Sequence, residues 1–258
     1  MFSEEVNKVI GAGQAKVRLL KTNKVGYFIS SMLAGAYVGL GILLIFTIGG
    51  FLSNAGSPAT KIVMGLSFGV ALSLVVFAGS ELFTGNNFVM ASASLSGQVP
   101  WEDTVKVWLM CFAGNLAGSI LTGYMFYLTG LASGPVGEFI GATSQAKMSV
   151  PFLPLFVRGV FCNILVCLAV WSTFRCKEET AKLIMIFWCL FTFITAGFEH
   201  SVANMTLLTI GILAPNGADV SIVGYIYNIG VVTLGNMVGG IVFLAVPYYI
   251  ISKNVKES

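Results

Sequence analysis

The one histidine of the chain, His200, directly follows a glutamate, Glu199. An imidazole can donate or accept a hydrogen bond at either nitrogen, and it titrates near neutrality. A Glu–His pair could therefore serve acid–base or metal chemistry. One histidine cannot build a multi-histidine metal site, however, and no nucleophile motif accompanies the pair. No metal or cofactor is expected, and an enzyme is not expected. The five cysteines, Cys111, Cys162, Cys167, Cys176 and Cys189, form no CxxC pair. They read as small buried hydrophobes. A repeated spacing is more telling. Gly79, Glu81 and Asn86 spell G-x-E-x-x-x-x-N, and so do Gly197, Glu199 and Asn204, 118 residues later. Gly114, Asn115 and Gly118 spell G-N-x-x-G, repeated by Gly235, Asn236 and Gly239 at an offset of 121. Two matches at nearly one offset indicate two related halves.

The surroundings of these residues are apolar. Of 258 residues 56% are hydrophobic and 10% are charged, against about 25% charged in a soluble domain. With a mean hydropathy of +0.88, this excludes a soluble enzyme, a disordered chain and a nucleic-acid binder. The net charge of +3 is too small and dispersed for a polyanionic partner. A spanning helix needs about 20 apolar residues. Six spans are predicted near 25–52, 62–96, 105–131, 151–174, 183–212 and 222–250. Spans two and five are overlong, and each holds a glutamate of the repeat in its middle. Three spans per half force the halves into opposite orientations, an inverted repeat whose site lies at broken helices near the midplane. Glycine and short polar residues there leave backbone amides unpaired, which is tolerated only under cover of protein or water. Half-helix N-termini favour anions. Residues 80–86 and 198–204 are therefore the expected permeation site.

Orientation follows from the positive-inside rule. With both termini cytoplasmic, eleven of the 14 basic residues lie inside, and Lys61, Lys147 and Arg158 lie outside. Residues 1–24 are expected to form a cytoplasmic helix, with Val6, Val9, Ile10 and Val17 at helical spacing beside Lys8, Lys16 and Arg18. Such a helix would lie at the membrane interface. Residues 25–250 form the six-helix domain and 251–258 a short cytoplasmic tail. A charged N-terminus and a long first apolar run argue against a cleavable signal.

At these residues the sequence resembles the formate/nitrite transporter family of pentameric anion channels. The G-F-E-H-S-x-A-N-M run from Gly197, the E-L-F-T-G-N run from Glu81 and the R-G-x-x-C-N-x-L-V run from Arg158 carry the resemblance. The N-terminal region and loops look most like its hydrosulfide-channel branch. The resemblance implies an aquaporin-like, all-α membrane fold with one pore per protomer of a homopentamer in the inner (plasma) membrane. It implies small monovalent anions of weak acids as substrates: hydrosulfide, formate, nitrite. It also implies roles. Phe68, Leu72 and Phe193 match a cytoplasmic constriction, and Leu82, Phe83 and Val166 a periplasmic one. Thr84 and His200 match the polar pair between them, with Asn163 a pore-adjacent amide. Lys147 matches a basic residue of the periplasmic approach.

Each residue also has a plainer reading. A lone histidine is often a satisfied core residue, but an ionisable group inside a broken span is functional by default. His200 is expected to offer a passing anion a hydrogen bond or a proton. A carboxylate facing the pore would repel anions, so Glu81 and Glu199, with Asn86 and Asn204, are expected to serve the backbone at the breaks. Arg158 is read as structural, snorkelling or paired with Glu138. Lys16 and Lys147 would attract anions to the mouths by long-range attraction. The apolar constriction residues would be ordinary packing but for their place beside the breaks, where dry slits restrict charged solutes. The alternative to a channel is a proton-coupled secondary transporter of formate or nitrite using His200. A neutral-solute pore is disfavoured: no N-P-A box is present, and one histidine cannot make a histidine pair.

Overall fold

The computed structural model describes residues 2–253. Met1 and residues 254–258 of the expected tail, Lys256 included, lie outside the described residues. Within them the secondary structure is helical, with no strand. Helix α1 (Ser3–Thr22) precedes α2 (Lys24–Asn54), whose N-terminus Asn23 caps by accepting the Gly26 N–H at 2.8 Å. The second span runs as α3 (Thr60–Ser67) and α4 (Gly69–Phe77), breaks, and resumes as α5 (Phe83–Leu95). Helices α6 (Trp101–Leu128), α7 (Gly134–Met148) and α8 (Phe152–Arg175) follow. Helix α9 (Glu179–Ala196) breaks and resumes as α10 (Ser201–Leu213). The last span is α11 (Ile222–Gly240), a π-helical turn (Ile241–Ala245) and α12 (Val246–Ser252). Six of these helices or helix runs are long and apolar enough to cross a membrane.

The two breaks are built alike. Just past the end of α4 stands Gly79 with φ 75°, and just past α9 Gly197 with φ 80°, a left-handed conformation that glycine adopts without penalty. The Ser80 N–H donates to Val75 O at 3.1 Å, and the Phe198 N–H to Phe193 O at 3.0 Å. Both are the six-to-one bond of a Schellman turn. Each chain then runs extended through the residue before the next helix, Leu82 in one half and His200 in the other.

The G-N-x-x-G repeats serve two close crossings, α6 on α2 and α11 on α8. A Cβ on Gly118 would collide with the Met32 carbonyl, and one on Gly239 with the Val160 carbonyl. Small residues at such crossings let membrane helices approach backbone to backbone.

Helix α1 buries Val6, Val9, Gly13 and Leu20 and docks on the bundle over α5. The Phe2 ring meets Trp171 and Tyr248, each with centroids 6.1 Å apart. Arg175 binds Glu5 at 2.8 Å. Helix α7 lies between the third and fourth predicted spans. It is too short and too polar to read as a span, although Pro135 in its first turn is a start signal. It stands before the second half as α1 stands before the first.

Candidate functional site

The amides exposed by the breaks are met by the repeated asparagines. Asn115 of α6 accepts the Phe83 N–H at 2.9 Å and donates to Ser31 O at 2.7 Å and Glu81 O at 2.9 Å. Asn236 of α11 accepts the Ser201 N–H at 2.9 Å and donates to Gly159 O at 2.8 Å and Glu199 O at 2.9 Å. Both side chains are fully buried. Each serves one half-helix start and one extended segment, and so holds the break in a single shape.

The glutamates do something other than expected. They accept no break amide; each binds a lysine. Both Glu81 oxygens take the Lys16 ammonium at 2.8 Å, and Tyr27 and Asn86 donate to the same carboxylate at 3.1 and 2.9 Å. Glu199 takes Lys147 at 2.6 Å and Asn204 at 2.7 Å. Asn204 also donates to Asn228, which donates to Lys147 O. The lysines come from α1 and α7, the paired helices that precede each half. Lys16 and Lys147 are thus latches that tie those helices to the breaks. Their charge is neutralised on the spot, which corrects their reading as free attractors of anions.

His200 precedes α10 as its N-cap. Its Nδ1 accepts the Ala203 N–H at 3.1 Å, and its Nε2 lies 2.9 Å from Thr84 Oγ1. A nitrogen that accepts carries no proton, so the bond network assigns the neutral ring with its proton on Nε2, donated to Thr84. The ring stacks beside Phe193, with centroids 6.0 Å apart at 18°.

His200 borders a narrow space of about 10 Å³ walled by Val38, Ala71, Leu72, Leu82, Val166 and Leu190, with Phe68 and Phe193. This is at or below the ~10–15 Å³ that one water needs. On one side lies a recess of about 240 Å³ that includes Lys61, Lys147, Phe193 and His200. On the other lies one of about 410 Å³ that includes Lys16, Glu81, Leu72 and Leu82. The narrow space shares lining residues with both.

This places several expected residues differently. Leu82 and Leu72 face the recess of Lys16, and Phe193 faces that of Lys147. In the orientation expected from charge, Lys16 is cytoplasmic and Lys147 periplasmic. In that orientation Leu82 and Phe193 fall on the sides opposite to those expected of them, while Leu72 keeps the expected side and is joined there by Leu82. The reason is helix direction. Helix α3 starts at the Lys61 end, so Phe68 precedes Leu72 on the way to Lys16. Helix α9 enters from the opposite end, and Phe193 in its last turn reaches Phe68, with rings 5.6 Å apart and edge to face. Phe83 is not a wall residue; its ring lies against Phe112 of α6 at 5.2 Å. Thr84 lies behind His200 and lines neither recess nor slit. Asn163 also stays out of the passage. It donates to Thr84 O, Asn87 Oδ1 and Asn236 O at 3.2, 3.2 and 2.6 Å, tying α8 to the breaks. Arg158 is exposed on α8 and pairs with no carboxylate among the described residues.

Residues 3–250 match the formate/nitrite transporter family. The chain belongs to that family. It is 40% identical over 254 residues to the nitrite transporter NirC of Salmonella typhimurium, covering 96% of this chain and 91% of that one. The formate channel FocA of Haemophilus influenzae is 32% identical over 250 residues, covering 88% and 87%. A solved FNT family ion channel superposes with a TM-score of 0.92 at 37% identity, over 98% of this chain and 100% of that one. A solved pentameric formate channel with formate bound gives 0.74 at 31% identity, over 88% and 96%. The chain is a multi-pass, all-helical membrane protein of an anion-transporting family, and its homologues are transporters or channels.

Leu190, Tyr27 and Asn228 also belong to the site, beyond the residues the motifs single out. Leu190 carried a signal: it lies 118 residues after Leu72, the same repeat offset, and both line the slit. Tyr27 and Asn228 have no counterpart at that offset and announce themselves only by contact.

Proposed function

We propose that the chain is a channel for small monovalent anions of weak acids, hydrosulfide, formate and nitrite among them. Each protomer of a homopentamer holds one passage, in the inner (plasma) membrane with both termini cytoplasmic. The observation that carries the reading is the dry slit bordered by one neutral imidazole and flanked by two recesses, all within one chain. An unpaired charge cannot cross such a slit without a partner to replace water. Widened by small side-chain motions, the slit lets an anion meet the Nε2–H of His200 in place of Thr84. The related formate channel with formate bound supports both the substrate class and the five-fold assembly.

The His200 geometry weighs against proton coupling. To hand on its Nε2 proton without becoming an imidazolate, the ring must also hold a proton at Nδ1, and Nδ1 is the acceptor that caps α10. Each transport cycle would break that cap. A hydrogen-bond donor that keeps its proton fits the bonds it makes. The test is current through the reconstituted protein under a formate gradient. It is expected to reverse at the formate Nernst potential with no accompanying proton flux; a reversal potential that tracks the pH gradient overturns the channel reading.

A further inference from the structure

Since Glu199 neutralises Lys147 at 2.6 Å, another group must give its recess any attraction for anions. Lys61, the second residue of α3, lines the same recess and is exposed. It has no carboxylate partner among the described residues. With Lys147 and Glu199 cancelling, Lys61 leaves this recess with one net positive charge. The charged side chains of the opposite recess are Lys16 and Glu81, which pair with each other at 2.8 Å. That recess is neutral. The repeat accounts for the difference. The residue 118 positions after Lys61 is Glu179, which is held by Lys182 at 2.8 Å and does not line the Lys16 recess.

We propose that Lys61 is the anion-capture residue of this channel, and that the two mouths are electrostatically unequal: one attractive, one neutral. The proposal rests on the channel reading above. A single charge about 8 Å from an anion in water raises the local anion concentration about two-fold. The effect fades once the Debye length, ~30 Å at ~10 mM salt, falls to a few ångströms near ~0.5 M. A passive pore has the same low-concentration permeability in both directions at zero voltage. The inequality therefore appears not in the direction of flux but in which face responds to screening.

The experiment uses the assembled protein inserted in one orientation in planar bilayers. Formate permeability is measured while sodium gluconate raises ionic strength on one face at a time. Screening the Lys61 face is expected to lower permeability about two-fold, and screening the Lys16 face to leave it unchanged. Lys61→Gln should remove the one-sided response and Lys61→Arg should keep it. Equal responses at both faces overturn the proposal, as does a one-sided response that survives in Lys61→Gln. A loss in Lys61→Gln that persists at high salt makes the residue structural and overturns it too. A wild-type protein that passes no formate current at any salt fails the channel reading itself. That outcome is distinct from a conducting channel with equal mouths.

Discussion

Thr84 and His200 are bound to each other, and only His200 reaches the passage. Thr84 therefore acts by holding the ring. Thr84→Ala removes the acceptor of a buried donor, a loss of about 1–3 kcal/mol. It is expected to lower formate flux by roughly ten-fold, while Thr84→Ser retains most of it; stopped-flow flux into proteoliposomes checks this. His200→Asn supplies a side-chain oxygen that can still cap α10. If His200 keeps its proton, the variant lowers flux without changing the shape of the flux profile between pH 5 and 8. A flattened profile would assign it the proton-donor role. At the slit, Leu82→Val and Phe193→Ala are expected to raise the ratio of acetate to formate flux, because the wall is steric and apolar. An unchanged ratio in folded protein removes both residues from the slit.

Among the elements, the broken helices were legible because their letters repeat. Glycine, glutamate and asparagine recur at one offset, and glycine is the residue a left-handed helix end requires. The bonds around them were not legible. Asn115 reaches back 32 residues to the Phe83 amide, and Asn236 reaches 35 to Ser201; a one-dimensional pattern does not show which amide an asparagine meets. The lysine–glutamate latches were hidden for the same reason, and the relative sides of Leu82 and Phe193 were not legible because a residue's depth depends on where its helix enters. The latches are testable. Lys16→Met leaves Glu81 buried without its counter-charge, which costs about 3–5 kcal/mol. The double variant Lys16→Met with Glu81→Leu is expected to recover most of that loss. Thermal unfolding of Lys16→Met, Glu81→Leu and the double variant in detergent measures the cycle, and additive losses would mean that the pair is not coupled.

For the whole molecule, the passage lies inside one protomer while the lateral faces expose large apolar side chains such as Leu109, Phe161, Trp188 and Ile226. Those faces meet lipid or neighbouring copies. Five independent pores follow from the proposed assembly. Mixing wild-type protomers with a blocked variant should give flux in direct proportion to the wild-type fraction. A steeper fall would mean that protomers share or gate one another's passage. The inverted repeat has a further consequence. A molecule made of two identical inverted halves looks the same after being turned over, and no property of it can distinguish one compartment from the other. Any sense of inside and outside in this protein must reside where its halves disagree. Among the disagreements that bear on the passage are Leu82 against His200, Thr84 against Val202, and Lys61 against Glu179. A chain carrying L82H together with H200L would move the imidazole to the opposite arm of the pseudo-symmetry, and with it the face toward which the histidine looks.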